Sequence, residues 1–126
     1  MTRKVIATEG APAAVGPYSQ AIAAGDLLFC SGQIALDPAT GELLSASIEE
    51  ETRRCLDNLS AVLAAAGAGW PNVVHVRAYL TDMEDYVAFN EAYAAYAGSE
   101  PPARAAVGVA ALPKGARVEI ECVAAL

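Results

Sequence analysis

Histidine occurs once in this chain, at His75, so a histidine-based metal cluster cannot be assembled within one subunit and no metal or other cofactor is expected. His75 sits in the strand-like run Val73-Val74-His75-Val76-Arg77 and reads as structural. The three cysteines, Cys30, Cys55 and Cys122, are odd in number and widely spaced, matching neither a disulfide framework nor a zinc signature. Each has apolar neighbours and reads as a small core residue. Basic residues are scarce and scattered: eight Lys and Arg face fifteen Asp and Glu, for a net charge of −7. Holding phosphates requires clustered cations, so no nucleic-acid partner is expected. Although 55% of the chain is hydrophobic, no uninterrupted apolar run approaches the roughly 20 residues that cross a bilayer, and no membrane partner is expected. The N-terminus passes from Met1-Thr2-Arg3-Lys4 straight into Val5-Ile6-Ala7, without the apolar core and cleavage pattern of a signal peptide, which makes a cytoplasmic location the expectation. Repeats and low-complexity linkers are absent, and 126 residues fit one domain, 1–126.

Two helical periodicities are present. The first runs from about Ser47 to Ala66, with capping-box spacing at Ser47 and Glu50, i,i+4 pairs Glu49/Arg53 and Glu50/Arg54, and an apolar stripe through Ile48, Cys55, Leu59, Val62, Leu63 and Ala66. Gly67 supplies its stop. The second opens at Thr81, places Tyr86, Phe89, Tyr93 and Tyr96 on one face as a core stripe, and ends before Gly98. Strand candidates are Lys4 to Ala7, Leu27 to Gly32, Gln33 to Leu36, Val74 to Leu80, Arg104 to Val109 and Arg117 to Leu126. Asp37-Pro38-Ala39-Thr40-Gly41 reads as a turn. The order predicts an α+β sandwich with both helices on one sheet face. Its strands carry apolar residues on both faces, so the uncovered face is expected to meet another subunit.

Arg104 and Glu119 concentrate the chemistry. Their segments read as neighbouring strands, and both side chains are expected to point away from the helix-facing valines. In the first, alternation groups Arg104 with Ala106 and Gly108; in the second, Val118, Ile120, Cys122 and Ala124 share one face, and Glu119 and Glu121 the other. A guanidinium forks onto a carboxylate, and a carboxyl group moves a proton. The same pair also reads as an ordinary surface or interface salt bridge, worth about 0 to 1 kcal/mol.

Pro102-Ala103-Arg104, followed by Leu112-Pro113-Lys114-Gly115-Ala116-Arg117-Val118-Glu119-Ile120-Glu121, closely resembles the C-terminal signature of the reactive-intermediate/imine deaminases, the RidA (YjgF) family. Gly16-Pro17-Tyr18-Ser19-Gln20-Ala21 and Phe29-Cys30-Ser31-Gly32-Gln33-Ile34 resemble two further family blocks, in the same order, and Phe89-Asn90-Glu91-Ala92-Tyr93 falls where the family has an Asn-containing helix.

The resemblance implies a chorismate-mutase-like, RidA-type fold with a mixed sheet and two helices, and a homotrimer with ligand clefts between subunits. It also implies cofactor-free hydrolysis of 2-imino acids, such as 2-iminopropanoate (the tautomer of 2-aminoacrylate) and 2-iminobutanoate, to 2-oxo acids and ammonia. Carried over by position, Arg104 clamps the substrate carboxylate, Glu119 shuttles protons for the attacking water, and Tyr18 closes the cleft. Ser31 and the Gly32 backbone supply hydrogen bonds, while Asn90 orients a loop or contacts a neighbouring chain. Many family members carry cysteine two residues beyond the arginine; Ala106 stands there here, leaving its backbone N–H for substrate and altering the pocket wall. Two other expectations stay open: a non-catalytic trimer that binds small carboxylates, and a deaminase of the same fold acting on a larger substrate.

Overall fold

The computed structural model describes residues 2–126. Its elements are β1 (Arg3–Ile6), β2 (Ala21–Ala24), β3 (Leu27–Gln33), α1 (Ile48–Ala65), β4 (Val73–Leu80), α2 (Tyr86–Ala97), β5 (Ala103–Gly108) and β6 (Val118–Ala125). They form an α+β fold around one mixed sheet of order β1-β2-β3-β6-β4-β5. β4 and β5 are parallel, the other pairs antiparallel, and α2 is the crossover that a parallel pair requires.

Local chemistry accounts for the helix ends. Ser47 Oγ accepts a hydrogen bond from the Glu50 N–H at 3.1 Å, and Gly67, at φ 77°, ends the run after α1 in a conformation that side chains disfavour. The buried face of α1 holds Ile48, Cys55, Leu56, Leu59, Val62 and Leu63. The second helix begins later than expected. Asp82, not Thr81, caps a short 3-10 turn at Met83–Asp85 by accepting from the Glu84 N–H, and α2 proper starts at Tyr86. The expected i,i+4 ion pairs on α1 do not close; Arg54 instead reaches Asp37 at 3.7 Å. An exposed helix pair is worth only about 0.3–0.5 kcal/mol, too little to hold Arg54 against another carboxylate.

Three strand expectations are corrected. β3 continues unbroken through Gly32 to Gln33, and Leu36 makes only an isolated bridge to Leu43, so Gln33 to Leu36 is not a separate strand. Ala21–Ala24 is a strand that its alanine-rich composition concealed. Most consequentially, β5 and β6 are not neighbours. The α2 crossover returns β5 beside β4, which lies between β5 and β6.

Register shows how the faces are used. Ile6, Ala21, Cys30, Cys122, Val76 and Arg104 form one transverse row across all six strands on the helix-covered face. Its first five members are buried, and Arg104 is half-buried at the end beside α2. On the helix-free face the neighbouring row runs Val5, Ile22, Phe29, Val123, with Val5 and Phe29 exposed at 56% and 47%. Apolar side chains aligned across four strands make this face a poor match for water.

Candidate active site

Glu119 projects from β6 onto the helix-free face, opposite the buried Val118 and Ile120. Across the ladder it is level with Tyr79 of β4 and Val107 of β5. It borders a cavity of about 160 Å³ that also takes in Tyr18, Gly32 and Lys114. The ladder between β3 and β6 shifts register between Cys30 and Gln33, and within this irregularity the Gly32 backbone comes against the Glu119 carboxyl. A Cβ built on Gly32 would lie 2.9 Å from Glu119 Cδ and 3.0 Å from Oε2, so any larger residue there would have to move the end of the Glu119 side chain. Burial first, and then the charge of Glu121, hold the Glu119 carboxyl above the usual carboxylate range.

Glu121 is the partner that the sequence left unassigned. Its Oε1 accepts from the Tyr79 hydroxyl at 2.8 Å and from Arg77 Nη1 at 3.3 Å, fixing a second carboxylate on the face that carries Glu119.

Arg104 stands elsewhere. Alternation along β5 is as expected, but the assignment of faces is reversed for this strand: Arg104 packs under α2, while Val107 is exposed on the other side. Its guanidinium carbon lies 4.8 Å from the Tyr93 ring centroid, 5.4 Å from that of Phe89 and 5.7 Å from that of Tyr86, and Nη2 donates to the Tyr86 hydroxyl at 3.0 Å. The stripe expected to be core is therefore partly that and partly a cage for the cation. Aromatic faces stabilise a guanidinium without consuming its in-plane N–H donors, which stay available for an anion. Arg104 shares a second cavity, of about 340 Å³, with Asn90, Tyr93 and the Pro101-Pro102 turn.

The site residues thus divide between two separate cavities. Tyr18, Gly32 and Glu119 line one; Asn90 and Arg104 line the other, on the opposite sheet face. Within a single chain the expected approach of Glu119 and Glu121 to the guanidinium does not occur. Ala106 packs against the core and borders neither cavity. The Ser31 hydroxyl donates to the Ser19 carbonyl at 2.6 Å, so it anchors the segment bearing Tyr18 and does not point a free donor at a ligand. Tyr18 itself is 52% exposed.

Sequence reasoning missed three contributors. The buried Gln20 side chain binds Thr8 and the carbonyls of Ala11 and Pro12, shaping the N-terminal segment that walls the Glu119 cavity. Lys114, at φ 58°, adopts a left-handed conformation at that cavity's rim. Tyr86 completes the hold on Arg104. Gln20 and Lys114 lie inside the quoted motifs, whereas Tyr86 has no signal beyond its helical spacing from Phe89.

This is the architecture of a compact α+β protein with a carboxyl group and a caged guanidinium held at separate cavities. The family model described as endoribonuclease L-PSP matches residues 8–126. A mouse protein named 2-iminobutanoate/2-iminopropanoate deaminase is 49% identical over 122 residues, covering 97% of this chain and 90% of its own. A RutC family protein of Pyrococcus horikoshii is 50% identical over 122 residues, 97% of each chain. The crystal structure of RidA from an Antarctic Psychrobacter superposes with a TM-score of 0.94 at 42% identity, covering 98% of this chain and 99% of that one. The chain belongs to the RidA (endoribonuclease L-PSP) family, and its fold is the RidA-type fold.

Proposed function

We propose that this protein is an imine deaminase that hydrolyses small 2-imino acids to 2-oxo acids and ammonia in sites completed between subunits. The observation that carries this reading is the Glu119 carboxyl, held above its usual proton affinity against the Gly32 backbone in a cavity. A carboxyl group with raised proton affinity is a stronger base than an ordinary carboxylate, and it holds its proton to higher pH. As base it takes a proton from the water that attacks the imine carbon. As acid it returns that proton to the nitrogen, giving the carbinolamine; it then takes the carbinolamine hydroxyl proton and passes it to the nitrogen, and ammonia leaves as the C=O bond forms. Such proton transfer is worth about 100- to 10,000-fold in rate. Arg104 supplies the carboxylate clamp shared by all 2-imino acids, and Tyr18 and Asn90 stand at the two cavities as substrate-facing walls. The mouse relative's name supports the reaction class.

Separation of Arg104 from Glu119 on opposite faces of one sheet supports assembly across an interface. The apolar row Val5, Ile22, Phe29, Val123 gives a second copy a surface to bury. A closed ring of three copies, working in the cytoplasm as one-domain subunits without a cofactor, is the arrangement we favour.

One further reading has an observation of its own. The Arg104 cavity gathers Asn90, Tyr93 and Arg104 without Glu119, and a simple carboxylate binder needs no proton-transfer group beside its guanidinium. Trapping of imines as semicarbazones, with the imines generated in situ by an L-amino-acid oxidase and catalase, separates the two. A deaminase suppresses trapping and loses this on Glu119→Gln. A binder leaves trapping unchanged while retaining affinity for 2-oxo acids in that variant. Alanine-, methionine- and glutamine-derived imines in one panel define whether the 340 Å³ cavity admits larger side chains.

A further inference from the structure

Cys30 of β3 and Cys122 of β6 are direct partners across an antiparallel ladder, and both side chains lie in the row that faces the helices. We propose that these two residues are an oxidation site: a dithiol that a peroxide of small size closes to a cross-strand disulfide. Opposed residues in antiparallel strands have Cα atoms about 4.5–5.5 Å apart, inside the roughly 4.4–6.8 Å that a disulfide spans, so the strand spacing already suits the bond. Cross-strand neighbours place the Cβ atoms about 4.5–5.5 Å apart, which a small change in local twist brings to bonding range.

The two thiols are also unequal. Their exposure differs, and the more accessible sulfur is the attacking member and the more buried one the resolving member. Cys30 keeps 6% of its surface exposed and adjoins the register shift at Ser31-Gly32, whereas Cys122 is 2% exposed. The remaining thiol differs in each respect. Cys55 on α1 is fully buried, bonded to the Val118 carbonyl, and held strongly in its thiol form by burial and by the charges of Glu119 and Glu51.

Electrons and atoms balance with one peroxide. The Cys30 thiolate attacks a peroxide oxygen, the O–O bond breaks, and a sulfenic acid forms with release of water, or of an alcohol from an organic hydroperoxide. The Cys122 sulfur then attacks the Cys30 sulfur, the S–O bond breaks, its thiol proton passes to the departing oxygen, and water leaves. Both sulfurs are oxidised by one electron and the peroxide is reduced by two. The new bond ties β3 to β6 beside the Gly32–Glu119 approach, so it acts on the strands that frame that carboxyl group.

The test uses the full chain exposed to hydrogen peroxide, then denatured, alkylated and mapped by mass spectrometry. We expect a species lighter by two hydrogens, with Cys30 and Cys122 peptides joined, Cys55 still alkylated, and full reversal by dithiothreitol. A Cys122→Ala variant should stop at a Cys30 sulfenic acid that dimedone captures, which keeps the result readable even if the disulfide strains the fold. Persistence of both thiols, oxidation of Cys55 ahead of them, or separate conversion to sulfinic acids without a joined peptide would each overturn the proposal. None of these readouts depends on imine hydrolysis.

Discussion

A methyl group on Gly32 would lie 2.9 Å from the carboxyl carbon of Glu119, so the backbone of β3 is the wall against which this carboxyl group rests. The contact sets both position and solvation for Glu119, because backbone occupies the space that water would fill. Gly32→Ala must therefore push the carboxyl group aside. With displacement on the order of 1 Å costing about 100-fold in rate, kcat for imine hydrolysis should fall by about that factor. Thermal unfolding should shift by only a few degrees, since the displaced group is the end of a half-buried side chain. Equal activity in the alanine variant would show that the approach has no catalytic use.

Proton affinity at Glu119 is raised by burial and then by Glu121. Replacing Glu121 with Gln removes the second cause, so the Glu119 pKa should fall and the acidic limb of the pH profile should move to lower pH. Tyr79→Phe and Arg77→Gln disturb the bonds to Glu121 while keeping its charge, and should move that limb less. Rates measured across pH 4 to 8 with one substrate decide this.

Stability responds to the same group with a definite sign. A carboxyl whose folded pKa lies above its unfolded value makes the folded state the stronger proton binder, so its contribution to stability declines as pH rises through that interval. Glu119→Gln removes the group, and the variant should gain most over wild type at neutral pH, with the gain shrinking as pH falls through the raised pKa of Glu119 and gone once it is below the ordinary Glu value. Calorimetric Tm at pH 7 and pH 4 checks the trend.

The hydroxyl of Tyr86 holds one edge of the Arg104 guanidinium at 3.0 Å. Tyr86→Phe keeps the ring and deletes that bond, which is worth about 0.5–1.5 kcal/mol. KM for 2-imino acids and Kd for 2-oxo acids should rise about two- to tenfold with little change in kcat. A kcat loss with unchanged KM would contradict a positioning role.

Much of this was readable from residues alone. Apolar spacing in α1 and alternation in β6 located Val118 and Ile120 inside and Glu119 outside, because those signals follow from periods of 3.6 and 2. Face assignment at β5 was not readable that way. Ala103–Gly108 is composed of small residues apart from Arg104 and Val107, and its period does not reveal which side a helix covers. Topology supplies the missing step: a strand that follows a crossover helix returns parallel to the strand before it, so β5 adjoins β4 and Arg104 comes under Tyr86, Phe89 and Tyr93. Gly32's role was equally hidden, since it depends on a register shift that composition does not encode.

The most direct measurement is complementation between two inactive variants. Arg104→Ala and Glu119→Gln proteins are unfolded, mixed in equal amounts, refolded together and assayed by semicarbazide trapping beside each variant refolded alone. If each site takes Arg104 from one subunit and Glu119 from another, random assembly restores about a quarter of wild-type activity in the mixture, because some sites receive both intact groups. If the mixture remains as inactive as its components, Arg104 and Glu119 do not work together across an interface, and the account of a shared site fails.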